Sequence, residues 1–133
     1  MIPRFRAWDE KNKEMFEDTF AVTESGGVVT VEQDFITNAP DYIFVDHLTL
    51  MQSTGLTDKN GKEIFEGDIL RVTNLSSWLE VVSFNKDKAM FVSKETEREV
   101  EETPLYDLFN TDIFEVEIIG NIHTNPELVE VSS

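Results

Sequence analysis

The chain has no cysteine. That absence removes disulfides, thiolate metal sites and a cysteine nucleophile together, and it fits a reducing, cytoplasmic setting. Histidine is almost as scarce, with only His47 and His123, and neither stands in a nucleophile motif such as Gly-x-Ser-x-Gly. No run of about eighteen apolar residues occurs, so no helical membrane span is expected. Arg4 and Arg6 near the start have no apolar segment behind them and do not read as part of a signal peptide. Basic residues are also short: 11 Lys and Arg face 27 Asp and Glu, a net charge of −16. Such a protein repels nucleic-acid phosphate and anionic lipid, so neither direct nucleic-acid binding nor membrane association is expected.

The acidic excess is not a tail. Residues 1–53 carry −6 and residues 54–133 carry −10. The plain reading is a solvated, solubilising surface. The sharper reading is a surface that mimics DNA or docks on a basic partner. Hydrophobic residues make up 40% of the 133, with ten Phe and two Trp, which suits one folded domain or two very small ones sharing a core. A chain of this size buries about 65–70% of its unfolded surface without staples.

Strand signals dominate. Pro3 to Trp8 alternates, with Phe5 and Ala7 on one side and Arg4, Arg6 and Trp8 on the other. A polar turn over 9–13 and the return through Glu14–Glu17 predict a hairpin, which Thr19–Thr23 continues. Ser25-Gly26-Gly27 predicts a tight turn before the β-branched run Val28–Val31. Asn38-Ala39-Pro40-Asp41 reads as a loop, and Tyr42–Met51 as a strand. Asn60-Gly61 predicts a type I′ hairpin with positive φ at both residues, and Glu66-Gly67-Asp68 a second bend that leads into a strand at Ile69–Val72. After a turn at Asn74–Ser77 come strands at Trp78–Phe84 and Ala89–Ser93, then a polar edge over Lys94–Glu102. Thr103 is expected to cap a short helix, with Pro104 at its first position and Leu105, Leu108 and Phe109 on one face. Phe114–Ile122 alternates as a last strand, with Phe114, Val116 and Ile118 inward, and Asn125-Pro126-Glu127-Leu128 turns outward. The expected fold class is mainly β, a small barrel with an added N-terminal hairpin and sheet.

Motif tests mostly end in exclusion. If Gly61 were position six of an EF-hand loop, Leu56 and Gly67 would hold positions one and twelve, where carboxylates are required. Gly55, Gly61 and Gly67 lie six apart, unlike a Gly-x-Gly-x-x-Gly phosphate cradle. Asp41, Asp46 and His47 are ligand types for a divalent ion, but they are close in sequence only, and no metal or other cofactor is expected. Arg4-Phe5-Arg6-x-Trp8 interleaves bases and aromatics as single-strand binders do; core packing of Phe5, with Arg4 and Arg6 in local salt bridges, is the preferred reading. With 27 acids some carboxylates must lie close together, so no acid–base pair stands out.

Three motifs together resemble one family. The stretch from Met51 to Ile69, with Gly55-Leu56-Thr57-Asp58-Lys59-Asn60-Gly61 and Ile64-Phe65-Glu66-Gly67-Asp68, is similar to the signature of the YopX family of bacteriophage and prophage proteins. Arg4-Phe5-Arg6-Ala7-Trp8-Asp9 resembles the family's opening. Ile119-Gly120-Asn121-Ile122-His123-Thr124-Asn125-Pro126-Glu127-Leu128 resembles its close. Ser53 stands where the family pattern has an aromatic residue. The resemblance implies a β-rich fold with an SH3-like barrel from Gly67 onward, hence regions 1–66 and 67–133, and residence in a bacterial host's cytoplasm. It brings no established activity. Arg4, Trp8, Gly55, Asp58, Asn60, Gly61, Gly67, Asp68, Gly120, Asn121 and Pro126 are read as family-signature residues with structural roles. The expected function is a non-catalytic accessory acting through contacts with a host or phage protein, and the alternative is an acidic DNA mimic. Edge strands also make self-association an expectation.

Overall fold

Twelve β-strands and two single-turn 3-10 helices account for the regular structure of the described residues. The computed structural model describes residues 4–17, 20–22, 28–33, 40–45 and 48–129. The chain divides into a smaller unit, Arg4–Met51, and a larger one holding Gln52–Ser133. The sequence-based division at 66/67 and this one differ by the central hairpin, which lies with the strands that follow it.

In the smaller unit β1 (Phe5–Asp9) and β2 (Glu14–Phe16) form the predicted antiparallel hairpin, with Trp8 opposite Met15. Asp9 closes it. Its Oδ1 accepts the backbone N–H groups of Lys11 and Asn12, and its Oδ2 accepts the Asn12 amide. The expected alternation in β1 does not hold: Arg6, Ala7, Trp8 and Asp9 are all buried. A half-buried edge strand alternates, whereas a strand covered on both faces does not. Trp8 is only 4% exposed and donates its indole N–H to Glu10 at 2.7 Å. Its ring is therefore not a free stacking face for a base.

A meander follows, with β3 (Phe20–Val22), β4 (Val28–Gln33) and β5 (Pro40–Val45) in that spatial order. Pro40 and Asp41, expected in a loop, open β5 opposite Gln33 and Glu32. Pro40 is tolerated there because it begins an edge strand. The expectations for Ser25-Gly26-Gly27, Asn38-Ala39 and the Asp46-His47 pair lie outside the described residues.

β6 (Leu48–Thr57) leads into the larger unit and pairs with β7 (Glu63–Phe65). Next come β8 (Asp68–Asn74), β9 (Ser76–Asn85), β10 (Met90–Glu95), β11 (Thr103–Pro104) and β12 (Glu115–Asn121). These five form one antiparallel sheet in the order β11-β10-β9-β8-β12, so the last strand returns beside the first. The register sets Val72 opposite both Trp78 and Val116, and Leu70 opposite Glu80 and Ile118. Period-two alternation thus sends Leu70, Val72, Val82 and Val116 to one face. Ile64, Leu105 and Leu108 complete that buried cluster, with Phe114, Ile118 and Phe91 packed around it. Val116 and Ile118 point inward as expected.

Several local expectations need correction. The turn after β8 centres on Leu75 alone, while Asn74 and Ser76 pair across the hairpin. Ala89 belongs to the turn before β10, with φ of 52°. Thr103 does not cap a helix. It pairs with Ser93 as part of β11, and one 3-10 turn, Leu105–Leu108, follows without a side-chain cap. Pro104 orders φ for that turn, and the burial of Leu105 and Leu108 holds it in place of further helical turns.

Leu75 is fully exposed at φ 59°. A β-carbon in this left-handed region costs about 1–2 kcal/mol, and no packing offsets it. Leu75→Asn is expected to stabilise the protein by about 0.5–1 kcal/mol, because asparagine tolerates this conformation. Chemical denaturation checks this, and a lower midpoint would show that Leu75 makes a stabilising contact.

Candidate functional site

The residues singled out in the sequence meet around Asp58. β6 carries a bulge between Ser53 and Thr57, where Gly55 takes φ of 80°. That kink delivers Asp58 to the hairpin tip, where it is 7% exposed. The Gly61 N–H donates to the Asp58 carbonyl at 3.0 Å, and the Asp58 N–H donates to the Lys62 carbonyl at 2.8 Å. Only Gly61 in this turn has positive φ, at 80°. The turn is thus not type I′. Asn60 stays outside the left-handed region, and Gly61 supplies the single reversal, as in a three-residue loop that ends on glycine.

The Asp58 carboxylate replaces what a tighter turn would have supplied. Oδ1 accepts the N–H groups of Asn60 and Lys62, both at 2.9 Å. Oδ2 accepts the N–H of Ile118, 60 residues away, at 3.0 Å. Beside it the Lys59 N–H donates to the Val116 carbonyl at 2.9 Å. The hairpin tip is therefore fastened to β12 by a side chain and by the main chain. Burial raises the Asp58 pKa, but the N–H bonds from Ile118, Lys62 and Asn60 and the nearby Lys62 charge together lower it more. The net result is a carboxyl held below the usual aspartate value of 3.8.

The second bend repeats this logic. Gly67 takes φ of 85°. Its N–H donates to Val82, and its carbonyl accepts from Ile122. The Asp68 carboxylate, fully buried, accepts the Phe65 N–H at 2.8 Å, and Glu66 accepts the N–H of Gln52. At the chain's close Asn121 Oδ1 accepts the N–H groups of His123 and Thr124. Asn125 Oδ1 accepts that of Asn121, and a β-carbon on Gly120 would lie 2.5 Å from that same oxygen. Pro126 starts the second 3-10 turn, Pro126–Leu128. The Gly67–Ile122 bond joins the central and closing motifs, and the Asp58–Ile118 bond ties the hairpin tip to β12 just before the closing one. Arg4 and Trp8 lie in the smaller unit.

A cluster that sequence reasoning missed sits on the face of β9 that carries Val82. Glu80 is 5% exposed. Its Oε2 accepts the Trp78 indole N–H at 2.8 Å, and its Oε1 accepts the Ser93 hydroxyl at 2.7 Å. The Trp78-x-Glu80 spacing puts both on one face, but Ser93 joins them only through the β9–β10 register, which sets Ser93 opposite Val82 and Glu95 opposite Glu80. Ser53, at the atypical position, donates its hydroxyl to Glu63 across the β6–β7 pair.

Comparison with known proteins places this arrangement. The family described as YopX protein matches residues 4–130. The chain belongs to the YopX family. The crystal structure of EF1440 from Enterococcus faecalis matches with 28% identity and a TM-score of 0.60, covering 98% of this chain and 99% of that one. The crystal structure of the YopX protein of Bacillus subtilis matches with a TM-score of 0.64 over 97% of both chains, and at 18% identity it shows a shared fold. Among curated proteins, none matches the chain. Of the residues singled out from the sequence, Asp58, Asp68 and Asn121 accept main-chain N–H groups through their side chains, and no group of acids or histidines among the described residues is arranged to hold a metal ion.

Gly61 offers a simple test of the hairpin. No atom lies within 4 Å of the point where a β-carbon would project from it, so the cost of substitution is conformational. Gly61→Val is expected to lose about 1–2 kcal/mol. An unchanged thermal melt would show that the turn does not need a left-handed residue.

Proposed function

We propose that this member of the YopX family is a phage or prophage accessory that acts by contacting another protein in a bacterial cytoplasm, without catalysing a reaction. One observation carries this reading: three polar side chains of the motifs, those of Asp58, Asp68 and Asn121, are engaged with backbone amides. Asp58 accepts three N–H groups, Asp68 accepts one, and Asn121 accepts two. A carboxylate whose lone pairs already face amides, and whose pKa is lowered, is a poor general acid or base near neutral pH. The acidic exterior is left as the distinctive surface. No helix among the described residues is long and apolar enough to cross a membrane. The returning fifth strand and the 3-10 turn before it support an SH3-like description of the larger unit.

A DNA mimic is less well supported. Phosphate-like rows need uninterrupted acids, whereas on β12 Glu115 and Glu117 are interleaved with cations. Lys59 lies 3.6 and 3.7 Å from them, and Arg71 lies 3.6 Å from Glu117. Affinity capture from bacterial lysate, followed by mass spectrometry at low and high salt, tests the proposal. Reproducible recovery of one partner, reduced by salt, is expected. No partner, together with turnover in a substrate screen, would overturn it. Sedimentation of the purified protein tells whether the partner is a second copy.

A further inference from the structure

Beside the Asp58 clasp lies a groove of about 320 Å³. One wall is the hairpin tip, Thr57–Lys59, and the other is the segment from the 3-10 turn to β12. Half-buried Phe109 and Phe114, with the buried Leu108 and Val116 beneath them, form an apolar patch in an otherwise polar lining that includes Thr57 and Thr111. Its volume is at the bottom of the range for small-molecule sites, about 300–1,000 Å³, which suits one or two large side chains better than a cofactor. Among its lining residues are the exposed carboxylates of Asp112 and Glu115, the Asp58 carboxylate already taken up by the clasp, and one cation, Lys59. Lys59 lies no closer than 3.6 Å to Glu115, longer than a charge-assisted hydrogen bond. Asp112 and Glu115 are exposed, and Ile113 beside them presents an apolar side chain to solvent. Apolar lining under an acidic rim is complementary to an apolar anchor flanked by positive charge.

Resting on the protein-contact reading above, we infer that this groove docks a peptide segment of a partner protein, with an aromatic or aliphatic anchor next to lysine or arginine. The anchor lies over Phe109 and Phe114, and the basic side chain pairs with Asp112 and Glu115. Both halves are required: charge alone would attract any polycation, and apolar lining alone would not select a basic one.

A phage-displayed library of random nonapeptides, selected against the full chain, tests this. Two variants serve as counter-targets: Asp112→Lys with Glu115→Lys, which reverses the rim, and Thr111→Trp, which fills the groove. All three positions are exposed, so the variants keep the core, and circular dichroism melts confirm their folding. Selected peptides are expected to combine an apolar anchor with lysine or arginine and to bind the rim variant at least about tenfold more weakly. Thr111→Trp is expected to abolish binding, and amide shifts on titration are expected at Lys59 and across 109–116. No enrichment overturns the inference. So does equal binding to the variants, or binding by cationic peptides without an apolar anchor. If both variants still capture the wild-type partner from lysate, the groove assignment fails while the protein-contact reading stands. If the wild-type protein captures nothing and turns over a substrate, that reading itself fails.

Discussion

Asp58→Ala is expected to lower stability by about 3–5 kcal/mol, because it leaves three N–H groups without their acceptor at about 1–3 kcal/mol each, partly relieved by water. In a chain of this size that is a fall in Tm of about 10–20 °C. The donors are Asn60 and Lys62 in the turn and Ile118 on β12. The damage is therefore both local and long-range, since the hairpin tip loses its side-chain tie to the last strand. Asp58→Asn keeps the shape and one acceptor oxygen but turns an NH2 group toward an N–H donor, so about 2 kcal/mol is expected.

The two proteins should also differ in pH dependence. The folded-state pKa of Asp58 lies below the usual aspartate value of 3.8, so the unfolded chain takes up the proton first. The stabilisation is fully present above the unfolded pKa of about 3.9 and is lost as pH falls through the lower, folded value. The gap between wild type and Asp58→Asn should therefore hold at neutral pH and narrow below about pH 4. Denaturant midpoints measured across that range decide it. A gap that stays constant into acid would mean that the clasp does not depend on the charge.

The second large effect is at Glu80. Glu80→Ala is expected to cost about 2–4 kcal/mol, from a small cavity and from the unpaired Trp78 indole N–H and Ser93 hydroxyl. Glu80→Gln keeps the volume and one acceptor, so it should lose less than half as much. A double-mutant cycle with Ser93→Ala isolates the 2.7 Å hydroxyl bond, and coupling of about 0.5 kcal/mol or more is expected for residues in contact. Additive losses would show that Glu80 and Ser93 act independently. Trp78 gives a second readout through its fluorescence, since its ring meets Phe114 edge-on at a centroid distance of 6.1 Å.

Most strands of the larger unit are legible from alternation. Val116 and Ile118 face the core as their spacing predicts, because side-chain direction in a strand depends only on parity. β1 is not legible in that way, because cover on both faces erases the alternation. Thr103 misleads for a related reason: as a residue before proline it reads as a cap, but a ladder partner, Ser93, was available. The site divides similarly. Gly61 and Gly67 announce themselves because left-handed φ is a demand of the local chain. Glu80 does not, since one more acid among 27 carries no mark of burial.

The family motifs, the mainly β composition and most of the chain reversals are legible in the amino-acid sequence. Those are consequences of φ restriction, side-chain parity and motif order, all local to a few residues. Which polar groups are buried, and what they hold, follows from how distant segments pack. Asp58 reads as a turn residue until Ile118 arrives from 60 positions away, and the groove beside it has no walls until β12 returns. Hydrogen bonds between distant segments depend on register and on the exclusion of water, and neither is written in any single stretch of the chain.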